Sequence, residues 1–194
     1  MSLLALLTLA AAAAPGNATA DQVATARKFA ACIARSAPGE ARAFLMVDSQ
    51  NPAFGAGLAA AVNGSGQKCQ KKAGDLSVGT AQFGGMIAEA LLHARFQPTI
   101  SLDDLKLDTQ PQLPSFSSPG DILGLCVATK APAAVAQLLG SEPGSAAETR
   151  QLEAIRPAVN SCLKAGTTIR GNPAAVRSMV SLAAWRVVFS EKAR

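Results

Sequence analysis

Four cysteines are the residues whose types and spacing most clearly suggest chemistry. Cys32 and Cys69 are 37 positions apart, Cys126 and Cys162 are 36 apart, and the two pairs are offset by 94 and 93. Thiol-disulfide catalysis usually uses a C-x-x-C motif, and zinc sites usually use C-x-x-C or closely spaced histidines. The chain has neither motif. We therefore expect no metal or other cofactor, and we expect disulfides, because an even cysteine count in an exported chain favours them.

Four cysteines allow three pairings. The matched spacing favours Cys32 with Cys69 and Cys126 with Cys162, because each bridge then closes the same loop in its own part of the chain. Closing a loop of about 37 residues stabilises a fold by roughly 3 to 4 kcal/mol on the chain-entropy model. A structural role explains these cysteines without any redox chemistry.

His93 and two lysines are the other candidates for acid-base or nucleophilic chemistry. His93, the single histidine, falls on Arg186 at the offset of 93, and we expect both to be solvated on the polar side of a helix. Lys71 and Lys164 each follow the second cysteine of their pair by two residues. We expect these lysines to cap the last carbonyls of a helix, where a positive charge is favourable, and not to act as catalytic amines.

The carboxylates do not form a pattern that repeats with the cysteines. Asp48, Asp75 and Glu89 lack acidic counterparts, apart from Glu142 near the position of Asp48. There is no G-x-S-x-G or G-x-x-x-x-G-K-[ST] motif, and Gly84-Gly85 lies in a helical pattern where small residues permit close packing. No catalytic residue is nominated, although carboxylates that meet only in the folded chain stay an alternative.

The elements that position these residues are predicted to be helices. Apolar residues recur at helical spacing in two series that match at the cysteine offsets, without the alternation typical of strands: Phe29, Cys32, Ile33 with Leu123, Cys126, Val127, and Phe83, Met86, Ile87, Ala90 with Val176, Met179, Val180, Ala183. Helices are expected to begin at Pro38, Pro132 and Pro173 and after a cap at Ser118 or Asp121. Gly64 and Gly66 should shorten the third helix of the first series. The sequence predicts an all-α fold of two tandem four-helix modules.

The domain organisation follows from composition. Residues 1–20 carry no charge, and their apolar run suits a signal peptide cleaved after Ala20 but is too short to span a bilayer. Module 1 is predicted over 21–97 and module 2 over 119–194. The Pro-rich segment 98–118 holds one lysine and three aspartates and is predicted to be a linker without helix that lies across a basic module face. A periplasmic or secreted location is expected, with no transmembrane segment after cleavage.

The net charge and the aromatic content limit the classes of partner that the protein is expected to bind. The net charge is +5, but the basic residues are scattered and tyrosine is absent, which disfavours nucleic-acid binding. Trp185 falls beside an apolar stripe and suits either core packing or contact with a partner. The residues proposed for possible contact are Lys68, Lys71, Lys72, Lys164 and Trp185.

The repeated order of short motifs resembles a group of uncharacterised exported helical proteins of alphaproteobacteria. Cys32-Ile33-Ala34 matches Cys126-Val127-Ala128, Ala37-Pro38 matches Ala131-Pro132, Cys69-Gln70-Lys71 matches Cys162-Leu163-Lys164, and Met86-Ile87 matches Met179-Val180. The resemblance covers residues 21–194 and implies export, without an activity or site residues.

The expected function is a non-catalytic exported protein that binds another protein or an envelope component. One alternative is a small hydrolase with a site between the modules. Another is a peripheral binder of anionic envelope surfaces, whose attachment would weaken with salt.

Non-reducing peptide mapping of the mature protein tests the pairing. We expect Cys32 linked to Cys69 and Cys126 linked to Cys162. A bridge from Cys32 to Cys126 or Cys162 would contradict two independently stapled modules.

Overall fold

The chain folds as an all-α protein over the residues that the structure, a computed structural model, describes: 18–72, 78–96, 100–105, 107, 113–163 and 172–190. The helices there are α1 Ala20–Ser36, α2 Pro38–Leu45, α3 Pro52–Asn63, α4 Thr80–Arg95, α5 Leu102–Leu105, α6 Pro119–Lys130, α7 Pro132–Gly140, α8 Ala146–Cys162 and α9 Pro173–Ser190. A 3-10 helix, Gln67–Lys72, follows α3. The predicted fold class is confirmed.

Two disulfides staple the fold into two modules of four helices each, α1 to α4 and α6 to α9. Cys32 of α1 is bonded to Cys69 in the 3-10 helix, and Cys126 of α6 is bonded to Cys162 at the end of α8. Both predicted pairings are confirmed. Each bridge ties the first helix of a module to the end of its third helical segment.

The helices begin where the sequence signals placed them. Pro38 and Pro132 stand at the first turns of α2 and α7, and the Ser118 side chain caps α6. Asn172 caps α9 by accepting the Ala175 N–H at 2.8 Å. At the other end of the chain, Thr19 caps α1, so the predicted cleavage point after Ala20 falls at the start of this helix.

The two modules meet through α4 and α9. Gly85 of α4 lies against Ser178 of α9, its counterpart at the offset of 93, and a Cβ on Gly85 would overlap the Ser178 backbone carbonyl. A Cβ on Gly124 of α6 would likewise crowd the carbonyl of Met179. These glycines let helix backbones approach closely, as the Gly84-Gly85 pattern predicted. Outside this central pair, α1 packs on α4 and α6 packs on α9.

The linker prediction is wrong in one respect. Residues 102–105 form one helical turn, α5, which packs against α7 and α9. Ile100, Leu105 and Leu107 are buried in the core around it. These three apolar residues lie within eight positions, which is too short a run to show a helical period. Their burial holds this segment on module 2 through the hydrophobic effect.

Among the described helices, none is by itself long and apolar enough to cross a membrane. The pair Pro119–Lys130 and Pro132–Gly140 meets the length and composition test only when taken together, and it is bent by 103°.

Gly85→Ala should destabilise the protein by about 1 to 3 kcal/mol, because the added methyl group forces α4 and α9 apart. Gly55→Ala is the matched control, since a Cβ there meets nothing within 4 Å. That control should gain up to about 1 kcal/mol from the better helix propensity of alanine. Urea denaturation measures both, and equal effects at the two sites would contradict the close helix contact.

Candidate functional site

Two arginines of α9 are completely buried, Arg177 and Arg186, each with 0% of its surface exposed. Arg186 was predicted from the sequence to lie on the solvated side of the helix, and that prediction was wrong. A buried guanidinium is costly unless carboxylates and carbonyls satisfy its N–H groups. The groups that surround these two side chains therefore define the polar interior of the protein.

Arg177 is held by two carboxylates and by the end of α7. Its Nη2 lies 2.7 Å from Glu89 Oε1, and its Nη1 donates to Glu148 Oε1 at 3.2 Å. Nη2 also donates to the Ser141 carbonyl at 2.8 Å. The cluster joins α4, α8 and α9, so it locks module 1 to module 2.

Glu89 links this cluster to the surface. It is 5% exposed and accepts from Arg27 Nη1 at 3.1 Å through Oε2. Burial acts to raise its pKa, but the charges of Arg177 and Arg27 and the Arg177 hydrogen bond outweigh burial and hold the pKa below its ordinary value. Glu89 is therefore an ionised partner for two arginines.

Arg186 forms a second cluster at the other end of α9. Its Nε and Nη2 donate to the carbonyls of Leu45 and Val47 at 2.8 and 2.6 Å. Nη1 lies 3.0 Å from Asp121 Oδ1, an ion pair whose angle is too poor for a hydrogen bond. Phe116 covers the guanidinium, with the ring centroid 4.2 Å from Cζ. Arg186 thus ties module 2 to the end of α2.

The two arginines perform the same task in the two modules. Leu45 and Val47 lie at the end of α2. Leu139 and Ser141 occupy the corresponding positions at the end of α7, at an offset of 94. Arg177 donates to Leu139 and Ser141, whereas Arg186 donates to Leu45 and Val47. Helix ends leave carbonyls unsatisfied, and an arginine of α9 supplies the missing donors at both.

Elsewhere the matched positions differ in chemistry. Arg177 and Glu148 form an ion pair in module 2, and their counterparts in module 1 are Gly84 and Phe54. A Cβ on Gly84 would overlap the Phe54 ring, at 2.5 Å from Cζ. An aromatic ring over a glycine fills the space that a buried ion pair takes in the other module. At these positions the helices are matched, but only module 2 has a buried ion pair.

A cleft of about 480 Å³ opens beside the Arg177 cluster, between the modules. On module 1 it is lined mainly by Arg27, Ala31 and Arg35 of α1 and by Met86, Glu89 and His93 of α4. On module 2 it is lined by residues 140–143, the turn after α7. We call this the inter-module cleft. An apolar cavity of about 320 Å³ adjoins it and shares Arg27 and Pro143.

The surroundings of His93 on α4 differ from those of its counterpart, Arg186, on α9. Its side chain is 41% exposed, with Nε2 3.9 Å from Glu89 Oε1, whereas its counterpart Arg186 is fully buried. Residues 113–118 lie at Arg186 and place Phe116 over it. The counterpart of Phe116 is Gln22, which lies within α1 and bonds back to Thr19. His93 therefore faces an open cleft where Arg186 faces the chain's own segment.

Of the residues proposed for contact from the sequence, the structure describes the side chains of Trp185 and Lys68. Trp185 is 1% exposed and stacks on Phe189 with centroids 5.1 Å apart, so it is a core residue and its partner-contact reading was wrong. Lys68 is exposed on the 3-10 helix. The side chains of Lys71 and Lys72 lie outside the part of the chain that the structure describes. So does the whole of Lys164.

The groups around the cleft are arranged for binding. Ser141 Oγ donates to the Leu138 carbonyl at 2.7 Å and accepts from Arg177 Nη1, so its hydroxyl is committed to the structure. Glu89 is neutralised by two arginines, which makes it a poor base. Among the described residues, no group of three or more His, Cys, Asp or Glu could hold a metal ion.

Arg27, Glu148 and Arg177 were not predicted from the sequence to be site residues. Arg177 directly follows Val176 of the predicted stripe, and a charge at the edge of an apolar stripe was the available signal. Its partners lie 88 and 29 positions away, and such pairings are set only by the packing of α4, α8 and α9.

Comparison of the chain with protein-family models, with curated proteins and with solved structures found no match, so the assignment of a function depends on the geometry of the cleft.

Glu89→Gln should lower the free energy of unfolding at pH 7 by about 3 kcal/mol, because it leaves two arginines short of a counter-charge. Since the pKa of Glu89 is lowered on folding, the stability that it contributes is present above its ordinary value of 4.5 and is lost as the pH falls below it. The variant should therefore lose less stability than the native protein between pH 5 and pH 3.

The control is Glu153→Gln, because Glu153 pairs with Arg156 at 3.0 Å in an exposed position. It should change stability by less than about 1 kcal/mol. Denaturant melts over this pH range measure both variants, and parallel pH profiles for Glu89→Gln and the native protein would contradict the assignment.

Proposed function

We propose that this is a non-catalytic exported protein that binds a non-helical segment of another protein in the inter-module cleft. One observation carries the proposal. At the matched place beside Arg186, the chain's own residues 113–118 are bound, whereas none of the described residues covers the place beside His93 in that way. A framework that binds a polypeptide segment at one end is suited to bind one at the other.

Export is part of this proposal. The uncharged, apolar residues 1–20 have the composition of a signal peptide, and disulfides persist in compartments outside the cytoplasm. The resemblance to exported helical proteins of alphaproteobacteria agrees with this. We also propose that the two modules are copies of one ancestral unit, supported by the paired carbonyls at the ends of α2 and α7.

The shape and charge of the cleft favour a protein partner. The cleft is a surface trough, and its walls come from two modules that the Arg177 cluster holds rigidly together. Arg35 is exposed and Arg27 partly so, which favours association with a segment of negative or neutral charge.

Site-specific photocrosslinking in the native envelope tests the proposal. A benzophenone amino acid replaces Ala31, which lies in the cleft between Arg27 and Arg35, and in a control it replaces Ala59, exposed on α3. We expect one discrete adduct from position 31, with the crosslink mapped by mass spectrometry to a single segment of the partner.

Arg35→Glu should reduce that adduct several-fold, because it reverses a charge at the cleft. Arg150→Glu, an exposed reversal on α8, should leave it unchanged. Equal adducts from positions 31 and 59, or no effect of Arg35→Glu, would contradict the proposal. Salt-sensitive retention on anionic vesicles with no adduct would favour peripheral membrane binding instead.

A further inference from the structure

The turns that follow α2 and α7 share a backbone hydrogen bond, although the N–H group of Gln50 donates to Asp48 in the first turn and that of its counterpart Gly144 donates to Glu148 in the second. The Asp48 carbonyl accepts from Asn51 N at 2.9 Å, and the Glu142 carbonyl accepts from Ser145 N at 3.2 Å. Asn51 and Ser145 then cap α3 and α8. Asp48 and Glu142 are 94 positions apart, so the two turns present an acidic side chain at the same place.

In module 1 that acidic side chain binds the chain's own segment. Asp48 Oδ2 accepts the backbone N–H of Ser117 and also accepts from Ser117 Oγ at 2.9 Å and Ser118 N at 3.0 Å. These hydrogen bonds, that of the Ser117 N–H above all, hold the pKa of Asp48 well below its ordinary value. Phe116, the preceding residue, covers Arg186. The segment is therefore recognised as an aromatic residue followed by two serines.

In module 2 the counterparts of Asp48 and Arg186 both line the inter-module cleft. Glu142 is exposed at its rim, and His93 stands at the position of Arg186. Ser49 donates its N–H to Asp121 in module 1, but its counterpart Pro143 has no N–H. The counterpart of Asp121 is Arg27. Module 2 therefore lacks both the N–H donor of Ser49 and the carboxylate that accepts from it. Asp48, the acidic residue that binds the segment, does have an acidic counterpart, Glu142.

We propose that the inter-module cleft recognises an aromatic residue followed by a serine or threonine. The aromatic ring lies on His93, and the backbone N–H and hydroxyl of the next residue donate to the Glu142 carboxylate. This inference rests on the proposed function and specifies the sequence that the partner's segment carries.

The test uses the full mature protein and a fluorescently labelled hexapeptide, acetyl-Leu-Pro-Ser-Phe-Ser-Ser-amide, which copies residues 113–118. Fluorescence anisotropy measures its affinity. Glu142→Ala should weaken binding about tenfold, because it removes an ionised acceptor of two hydrogen bonds. Glu153→Ala removes an exposed carboxylate of α8 outside the cleft and should change nothing.

A double-mutant cycle tests the aromatic contact. Replacing the peptide's Phe by Ala and replacing His93 by Ala should each weaken binding several-fold, and the two changes together should cost little more than either alone. Additive losses would overturn the assignment of the ring to His93. Circular dichroism of each variant confirms that the fold is retained.

The outcomes separate this inference from the proposed function. Equal peptide affinity for Glu142→Ala and the native protein overturns the recognition of the aromatic-serine pattern. Failure of the peptide to bind, with the adduct from position 31 intact, also overturns the pattern but leaves the proposed function standing. Loss of both peptide binding and the adduct overturns both.

Discussion

The need to satisfy two buried guanidinium groups governs this structure more than any other requirement. An arginine that is fully removed from water must find acceptors for its N–H groups, since each unmet donor costs free energy. Arg177 finds them in carbonyls at the end of α7 and in carboxylates of α4 and α8, whereas Arg186 finds them in carbonyls at the end of α2 and has Asp121 of α6 as its ion-pair partner. Because the acceptors belong to both modules, the arginines fix how the modules sit together.

Close packing of α4 on α9 makes this possible. The contact at Gly85 and Ser178 brings the two backbones near enough for Glu89 to reach Arg177, and Ser181 Oγ lies 3.4 Å from the same carboxylate. Larger side chains at the crossing would separate the helices and leave the arginines with fewer acceptors. The apolar and polar parts of the interface therefore depend on each other, which is the condition under which a buried ion pair confers a defined arrangement.

The sequence predicted most of the helices and both disulfides but not the polar interior. Periodicity, prolines and cysteine spacing report local geometry and loop closure, and α2, α6, α7 and α9 begin where such signals lie. Glu89 and Arg177 are 88 positions apart, and no local pattern distinguishes them from solvated residues. Trp185 was ambiguous for a related reason, because a residue at the edge of a stripe is buried or exposed according to which helix packs beside it.

The difference between the two ends of the α4 and α9 pair is the strongest structural argument for binding. If matched modules had only to form a scaffold, both ends could be closed by the chain itself, as residues 113–118 close the end at Arg186. At the other end the corresponding positions 19–24 are the cap and first residues of α1, so among the described residues no such segment lines the place beside His93. Yet Glu142 has the same place in its turn as Asp48, with the same backbone hydrogen bond. Glu142 is exposed at the cleft, so its carboxylate is available to a hydrogen-bond donor from another chain.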